Sequence, residues 1–430
     1  MKIAMIGTGY VGLVTGTCFS ELGNNVICVD NDEDKIKKLK NDIIPIYEPG
    51  LEELVAKNKK EERLSFTSEI EDAVKESDII FIAVGTPPKK DGEADLSSVE
   101  KVSTIIANVM NKYKLVVGKS TVPVNTGKWI KKTIERKIDE NIDFDVASNP
   151  EFLREGSAID DFLHPDRVVI GVESDRAKKL LCDLYEPIHA PILITDIESA
   201  EIIKHASNSF LATKISFINA ISILCERAGA DVEKVAEGMG MDKRIGKHFL
   251  KAGAGFGGFC FPKDLSAFIK IAEKLGYDFR LLKEVEKIND EQKRGIVKKV
   301  KENLWNLRGK TIAILGLSFK PNTDDMRYAP SIDIIGALLE EKVKIRAYDP
   351  QAMERAKEIF PDITYCNGPY EVCEGSDALV IVTEWEEFQN MDIKKIKKLL
   401  NNPIIIDGRN IFDPVEIRSE GFTYTGIGRK

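Results

Sequence analysis

Cys260 follows four glycines and precedes a Pro-Lys-Asp step in the stretch Gly253-Ala254-Gly255-Phe256-Gly257-Gly258-Phe259-Cys260-Phe261-Pro262-Lys263-Asp264. Glycine lets a backbone come close to a ligand, and a neighbouring cation and carboxylate are the company a reactive thiol keeps. A small cysteine packed inside a Gly-rich loop would read the same way, so the thiol has to be weighed with other groups. Lys204 and Asn208 stand four residues apart in an apolar-periodic segment. On a helix that spacing points a cation and an amide the same way, suited to an alkoxide or tetrahedral oxyanion, although surface side chains show it too. In residues 146–156 a short strand breaks at Asn149-Pro150, and Glu151 and Glu155 share a face if the segment after Pro150 is helical. Glutamates at this spacing are also common on solvated surfaces.

The elements that must position these groups begin at the N-terminus. An apolar strand, Lys2-Ile3-Ala4-Met5-Ile6, runs into Gly7-Thr8-Gly9-Tyr10-Val11-Gly12 and then into a helical pattern that lasts to Leu22. A second strand, Asn25-Val26-Ile27-Cys28-Val29, ends in Asp30, about 20 residues past the glycines. Strand, G-x-G-x-x-G, helix, strand and terminal acid make a dinucleotide site, with phosphates on the helix N-terminus and the ribose hydroxyls on Asp30. Asp30, with no Arg immediately after it, would repel a 2′-phosphate, so NAD is expected rather than NADP. Strands at 79–84 and 115–117 run into Gly85-Thr86-Pro87 and Lys119-Ser120-Thr121-Val122-Pro123. Thr86 and Thr121 at such strand ends either touch the dinucleotide or merely close turns. The loop Pro45-Ile46-Tyr47-Glu48-Pro49-Gly50 leads into a helix and carries no recognisable chemistry.

From Ile197 to Ala228 an uninterrupted helical pattern is long enough to bridge two domains or to build a subunit interface. Beyond residue 308 the opening pattern returns: Thr311-Ile312-Ala313-Ile314-Leu315-Gly316 echoes residues 2–7, and Val343-Lys344-Ile345-Arg346-Ala347-Tyr348-Asp349 echoes 25–30. Its first turn, Gly316-Leu317-Ser318-Phe319-Lys320-Pro321, lacks G-x-G-x-x-G and should not hold a dinucleotide in the same way. Lys320, Arg327 and Arg409 offer cations at strand ends to the phosphates of a different nucleotide, or are plain surface charges. The expected class is α/β, with two doubly wound, Rossmann-like parallel-sheet domains joined by a long central helix and helical region. The expected ranges are 1–196 for the NAD-binding domain, 197–307 for the central helical domain, and 308–430 for a domain that binds a nucleotide sugar.

Composition narrows the function further. A net charge of −8 argues against a nucleic-acid surface. Seven cysteines without a CxxC fit a reducing, cytoplasmic compartment. Gly7, Gly9 and Gly12 break the N-terminal apolar run that would otherwise suggest a signal peptide. No apolar stretch approaches the 18 or so uninterrupted residues of a membrane span, so no membrane partner is expected. Four His without HExxH or a Cys/His cluster leave no zinc ligands, and no metal is expected.

The motifs GTGYVG (7–12), TVPVNTG (121–127), NPEFLREG (149–156), KHASN (204–208), GFGGFCFPKD (255–264) and FKPNTDDMR (319–327) resemble those of the UDP-glucose 6-dehydrogenase family of nucleotide-sugar dehydrogenases, along essentially the whole chain. Phe259 stands where the family usually has Ser, and Asn125 where it usually has Gly. The resemblance implies oxidation of a sugar C6 alcohol to the carboxylate with two NAD. It implies Cys260 as the nucleophile that forms a thiohemiacetal and then a thioester, with Lys204 and Asn208 steadying the oxyanion. Glu151 would be the base acting through water, Asp264 the residue that positions or activates water, and Thr121 a neighbour of that water. For the cofactor it implies Val11, Asp30, Lys35, Thr86, Thr121, Glu155, Lys263 and Arg327, beside Gly7, Gly9, Tyr10 and Gly12 of the turn. For UDP-glucose it implies Glu151, Phe152, Leu153, Arg154, Glu155, Lys204, Asn208, Arg244, Phe249, Leu250, Lys251, Ala252, Gly253, Gly257, Lys320 and Arg409. A homo-oligomer is expected from the long helix. The alternatives are a sister enzyme acting on GDP-mannose or another UDP-sugar, a two-electron hydroxyacid dehydrogenase, and a silent nucleotide sensor.

Overall fold

The computed structural model describes residues 1–89 and 92–429. The chain forms two compact units, one built from residues 1–207 and 266–276, the other from 208–265 and 277–430. The first unit is organised on an eight-stranded sheet: β1 (Lys2–Ile6), β2 (Asn25–Val29), β3 (Leu64–Thr67), β4 (Ile79–Ile82), β5 (Lys114–Gly118), β6 (Phe144–Ser148), β7 (Val168–Val172) and β8 (Ile192–Thr195). Their spatial order is 3-2-1-4-5-6-7-8. Every neighbouring pair is parallel except β6 and β7, which run antiparallel. The central strands are apolar on both faces because helices cover both. Residues 3 and 5 feed one core cluster and residues 4 and 6 the other, which is the period of two that a pleated strand imposes.

The second unit repeats the plan with six parallel strands: β9 (Thr311–Leu315), β10 (Lys344–Tyr348), β11 (Thr364–Tyr365), β12 (Ala378–Ile381), β13 (Ile404–Asp407) and β14 (Thr423–Thr425). Their order is 11-10-9-12-13-14. Ile312 and Ile314 again face one cluster, Ala313 and Leu315 the other. In each sheet the strand order reverses beside the first strand, between β1 and β4 and between β9 and β12. Such a switch point opens a crevice at the carboxyl ends of the strands, where ligands bind.

The helix Ile197–Ala228 has the expected bounds and passes from the first unit into the second. Among the described residues it is the one helix long and apolar enough to cross a membrane by length and composition, a test that core helices of soluble proteins also pass. Its polar side chains Glu201, Lys204 and Asn219 are buried and take protein partners. One local expectation fails. The residues after Pro150 are irregular as far as Ser157, with Gly156 at a φ of 83°, and the helix there is Ala158–Leu163. Glu151 and Glu155 therefore do not share a helix face: the chain stays irregular and Gly156, in the left-handed region, turns it before the helix starts.

Candidate active site

In the first unit the glycine turn is built for close approach. A Cβ on Gly7 would lie 2.6 Å from the Ala83 carbonyl oxygen, and one on Gly12 would lie 1.9 Å from that of Gly7. Those two glycines seat the helix Tyr10–Glu21 against the end of β4. Gly9 is different, since nothing lies within 4 Å of where its Cβ would be and no side chain caps the helix that it starts. The first-turn amides of that helix are thus left for an anion, which is the requirement of a pyrophosphate. Asp30, at the end of β2, is 9% exposed; its Oδ2 accepts from the Thr8 amide (2.9 Å), the Thr8 hydroxyl (2.7 Å) and Lys35 Nζ (2.8 Å). Burial pushes its carboxyl up, but the bonds from Lys35 and Thr8 outweigh that and hold it below the usual range. Its Oδ1 accepts from the Asp32 amide at 3.1 Å, leaving room for a ribose hydroxyl. These residues fit a dinucleotide without a 2′-phosphate. Thr86 is buried and donates to the Thr121 carbonyl at 2.9 Å, so its hydroxyl ties together the turns after β4 and β5. Val11 is half-buried in the first helical turn.

Glu151 lies just past β6 and is paired with Lys204 on the long helix, Nζ to Oε1 at 2.9 Å, both side chains at most 5% exposed. Its other oxygen takes the Leu153 amide at 2.6 Å. Lys204 also lies 5.3 Å from the centroid of the Phe152 ring, and the Arg167 guanidinium stacks on the same ring at 3.8 Å. A buried carboxylate and ammonium in contact can pass a proton between them with little rearrangement. Arg154 is engaged with Asp161, its Nε 3.0 Å from Oδ2, and Glu155 is half-buried beside the Gly156 turn.

The second unit holds the thiol. Cys260 is half-buried and opens the 15-residue helix Cys260–Lys274, whose N-terminus favours negative charge. Asp264, 1% exposed, lies one turn on; its Oδ2 accepts from Asn208 Nδ2 at 2.7 Å and its Oδ1 meets Lys263 Nζ at 2.9 Å. Protein atoms crowd the Cβ side of the glycines before Cys260. A Cβ on Gly257 would be 2.3 Å from the Tyr328 carbonyl oxygen, on Gly258 2.7 Å from the Phe319 ring, and on Gly253 3.1 Å from the Gly408 carbonyl oxygen. Arg409 closes the same cluster, donating from Nε to the Val382 carbonyl (2.6 Å) and from Nη1 to that of Gly255 (3.2 Å). Lys320 lies 5.5 Å from the Phe319 ring centroid. Arg244 is exposed and paired with Asp242. Phe249 takes a left-handed φ of 63°, Leu250 and Ala252 are buried, and Lys251 is exposed.

Three amides that the sequence reading missed hold this loop. Asn289 accepts from the Phe256 amide (2.8 Å) and donates to the Phe256 carbonyl (3.0 Å). Gln292, one turn along, donates to the Gly253 carbonyl (2.9 Å), and Asn219 accepts from the Gly253 amide (2.9 Å). The repeated domain differs at the acid that follows its second strand. Asp349 occupies the place of Asp30, but its Oδ2 accepts from Leu317, Ser318 and the Trp385 indole (3.1 Å), and its Oδ1 from Gln351 and Ala352. It is 1% exposed, and no lone pair is left for a ribose. Among the described residues no cluster of His, Cys, Asp and Glu could hold a metal ion.

Residues 1–189, 198–291 and 313–414 match, in turn, the NAD binding domain, the central domain and the UDP binding domain of the UDP-glucose/GDP-mannose dehydrogenase family. The chain belongs to that family. It is 52% identical to the UDP-glucose 6-dehydrogenase TuaD of Bacillus subtilis (strain 168), over 100% of this chain and 93% of that protein. It is 47% identical to the UDP-glucose 6-dehydrogenase of Rhizobium meliloti (strain 1021), over the full length of both. Among solved structures, the UDP-glucose dehydrogenase of the hyperthermophilic archaeon Pyrobaculum islandicum superposes with a TM-score of 0.93 at 39% identity, covering 100% of this chain and 98% of that one. The two departures from the family pattern now have physical readings. Asn125 takes a left-handed φ of 74°, which Asn tolerates better than other non-glycine residues, so it substitutes for Gly there. The Phe259 ring is within reach of two cations, with the Arg327 guanidinium 4.3 Å and Lys263 Nζ 5.3 Å from its centroid.

Proposed function

We propose that the chain oxidises the C6 alcohol of UDP-glucose to the carboxylate of UDP-glucuronate, consuming two NAD+. The observation that carries the reading is the cluster around the half-buried Cys260: Asp264 one helical turn on, bonded to both Asn208 and Lys263. NAD+, when bound, accepts a hydride from C6 in each of the two oxidations. In the first, the C6 hydroxyl proton passes by way of Lys204 to the Glu151 carboxylate, which releases it to solvent before the hydrolysis. The Cys260 sulfur then adds to the aldehyde carbon: a C–S bond forms, the carbonyl π bond breaks, and the oxygen takes up the charge. The Lys204 ammonium and the second amide hydrogen of Asn208, the one not given to Asp264, are suited to hold that oxyanion. Loss of the remaining C6 hydrogen as hydride leaves a thioester on Cys260. Water positioned by Asp264 and deprotonated through Glu151 attacks it, the C–S bond breaks, and the thiolate returns. Holding C6 on sulfur keeps the aldehyde from escaping between oxidations, at an effective molarity worth up to ~7–11 kcal/mol.

Arg409 and Lys320 in the second unit would take the UDP phosphates, and residues 197–307 would form the central domain. The test is the stoichiometry of NADH formed per sugar consumed. Two per UDP-glucose is expected; one would put the chain among two-electron dehydrogenases, and turnover only with GDP-mannose or another UDP-sugar would move it to a sister branch. The seven free cysteines suit a reducing, cytoplasmic compartment. A second copy is the proposed partner: Phe210, Phe217 and Leu224, each about half exposed or more, recur every seven residues on one face of the long helix.

A further inference from the structure

The loop 45–50 supplies nothing to the reaction just described, yet it buries a carboxylate. Glu48 is 6% exposed, and three donors converge on it. The Tyr10 hydroxyl donates to Oε2, the Gly156 amide donates to the same oxygen at 2.6 Å, and the Ala158 amide donates to Oε1 at 2.7 Å. The Gly156 amide also reaches the Tyr10 oxygen at 3.1 Å, so phenol, carboxylate and amide close a triangle. The local chain cannot supply these acceptors. Gly156 is in a left-handed turn, and Ser157, which precedes the helix Ala158–Leu163, makes no side-chain cap. Glu48 caps that helix from outside it. Burial and the adjacent carboxylate keep the Tyr10 phenol protonated, so it stays a donor across the physiological range.

Tyr10 is the first residue of the helix that follows Gly7 and Gly9, and Gly156 ends the segment that carries Glu151 and Glu155. Glu48 touches both. We infer that Glu48 is a positioning residue that fixes the segment 151–157 against the dinucleotide turn, so that its carboxylates keep one placement relative to the bound cofactor. The inference rests on the roles proposed above for Glu151 and Glu155. Removing the acceptor leaves buried amides without a partner, which lets the segment open on its own while the sheet stays folded.

The test uses the full chain with Glu48→Gln, which keeps the size but turns one acceptor into a donor facing donors, and Tyr10→Phe, which leaves both amide bonds in place. Hydrogen exchange of peptides covering 151–160 is compared with that of β9 and β10 as an internal control. Kinetic constants for NAD+ and UDP-glucose are measured alongside. Glu48→Gln is expected to speed exchange at 151–160 by about tenfold or more, to leave the control peptides unchanged, to raise KM for NAD+ and to lower kcat by about tenfold. Tyr10→Phe is expected to shift the same quantities in the same direction by less, and it carries the test if Glu48→Gln does not fold. Unchanged exchange in the segment, or kinetic constants within twofold of the parent despite faster exchange, would overturn the inference. A parent chain that forms no NADH from UDP-glucose would instead reject the proposed function, and the exchange comparison would still report whether Glu48 holds the segment.

Discussion

Of the seven cysteines, Cys18, Cys28, Cys225, Cys366 and Cys373 are buried, and burial pushes the thiols of Cys18, Cys28 and Cys373 up to about 12, far from any thiolate at neutral pH. Cys260 and Cys182 keep partial exposure, and only Cys260 opens a helix with a carboxylate one turn on. Cys260→Ser is therefore expected to yield no more than traces of UDP-glucuronate by chromatography, with Cys182→Ser at parental rate; a normal acid yield from Cys260→Ser would eliminate the covalent route. Lys204→Met removes the ion partner of buried Glu151, and with it the oxyanion donor proposed above, so kcat should fall by ~10²–10³-fold together with a loss of thermal stability. Phe259 offers a further residue-scale test. Its ring steadies Lys263 and Arg327, and a cation–π contact of ~1 kcal/mol corresponds to roughly a fivefold effect. Phe259→Ser should thus raise KM for NAD+ about fivefold. Lys263→Met separates the premises: if it leaves that KM unchanged, the lysine is not a cofactor group, whatever Phe259 does.

At the scale of elements, the cysteine loop depends on side chains that come from two helices. Asn289 satisfies both the amide and the carbonyl of Phe256, and Gln292 takes the carbonyl of Gly253, so Asn289→Ala leaves two buried backbone groups without partners. A stability loss of ~1–3 kcal/mol in urea titration and a raised KM for UDP-glucose are expected; unaltered substrate kinetics would show that the loop holds its shape without the clamp. The same elements show what the sequence could convey. The helix Ile197–Ala228 was legible to the residue because its apolar period runs unbroken to Gly229, and the strands because both their faces are apolar. Gly7 and Gly12 were legible because only glycine fits 2.6 Å or less from a carbonyl oxygen. Asn289 and Gln292 were not, since one amide in an amphipathic helix looks like any solvated residue until its partner, over thirty positions away, is known. Glu48 was hidden for the same reason. For the glycines before Cys260, sequence reveals the need for close approach, and the structure adds that protein atoms crowd the Cβ side of Gly253, Gly257 and Gly258.

For the molecule as a whole, two buried groups in the first unit should shape how stability varies with pH. Glu201, 3% exposed, accepts from the amides of Asn125 (2.7 Å) and Gly127 (2.8 Å), capping the helix Thr126–Glu135 from outside. Burial pushes its carboxyl up from 4.5 to about 7, against the pull of those amides; Glu198 adds to the rise, and Lys128 opposes it. Lys119, bonded to Asn149 (3.0 Å) and the Tyr185 hydroxyl (3.2 Å), is pushed down from 10.5 to about 7 by burial, with Glu151 opposing and Lys204 adding. Between pH 4.5 and 7 the native chain holds a proton on Glu201 that the unfolded chain has released, so stability falls as pH rises, by up to ~3 kcal/mol. Between pH 7 and 10.5 the unfolded chain holds a proton on Lys119 that the native chain lacks, so stability climbs with pH. Together they place a dip in the first unit's stability near neutral pH. Asp407 in the second unit is also raised by burial, so the measurement must follow the first unit alone, through hydrogen exchange of peptides from β4 to β6 in urea at pH 5, 7 and 9. Glu201→Gln should lessen the slope from pH 5 to 7, and Lys119→Met the slope from pH 7 to 9, where Lys114, pushed down to about 8 by burial, supplies the remainder, each whatever its constant offset in stability. Curves that run parallel to the parent's across the whole range would mean that neither group changes its protonation on unfolding, and that the bonds they make are worth no more than neutral hydrogen bonds.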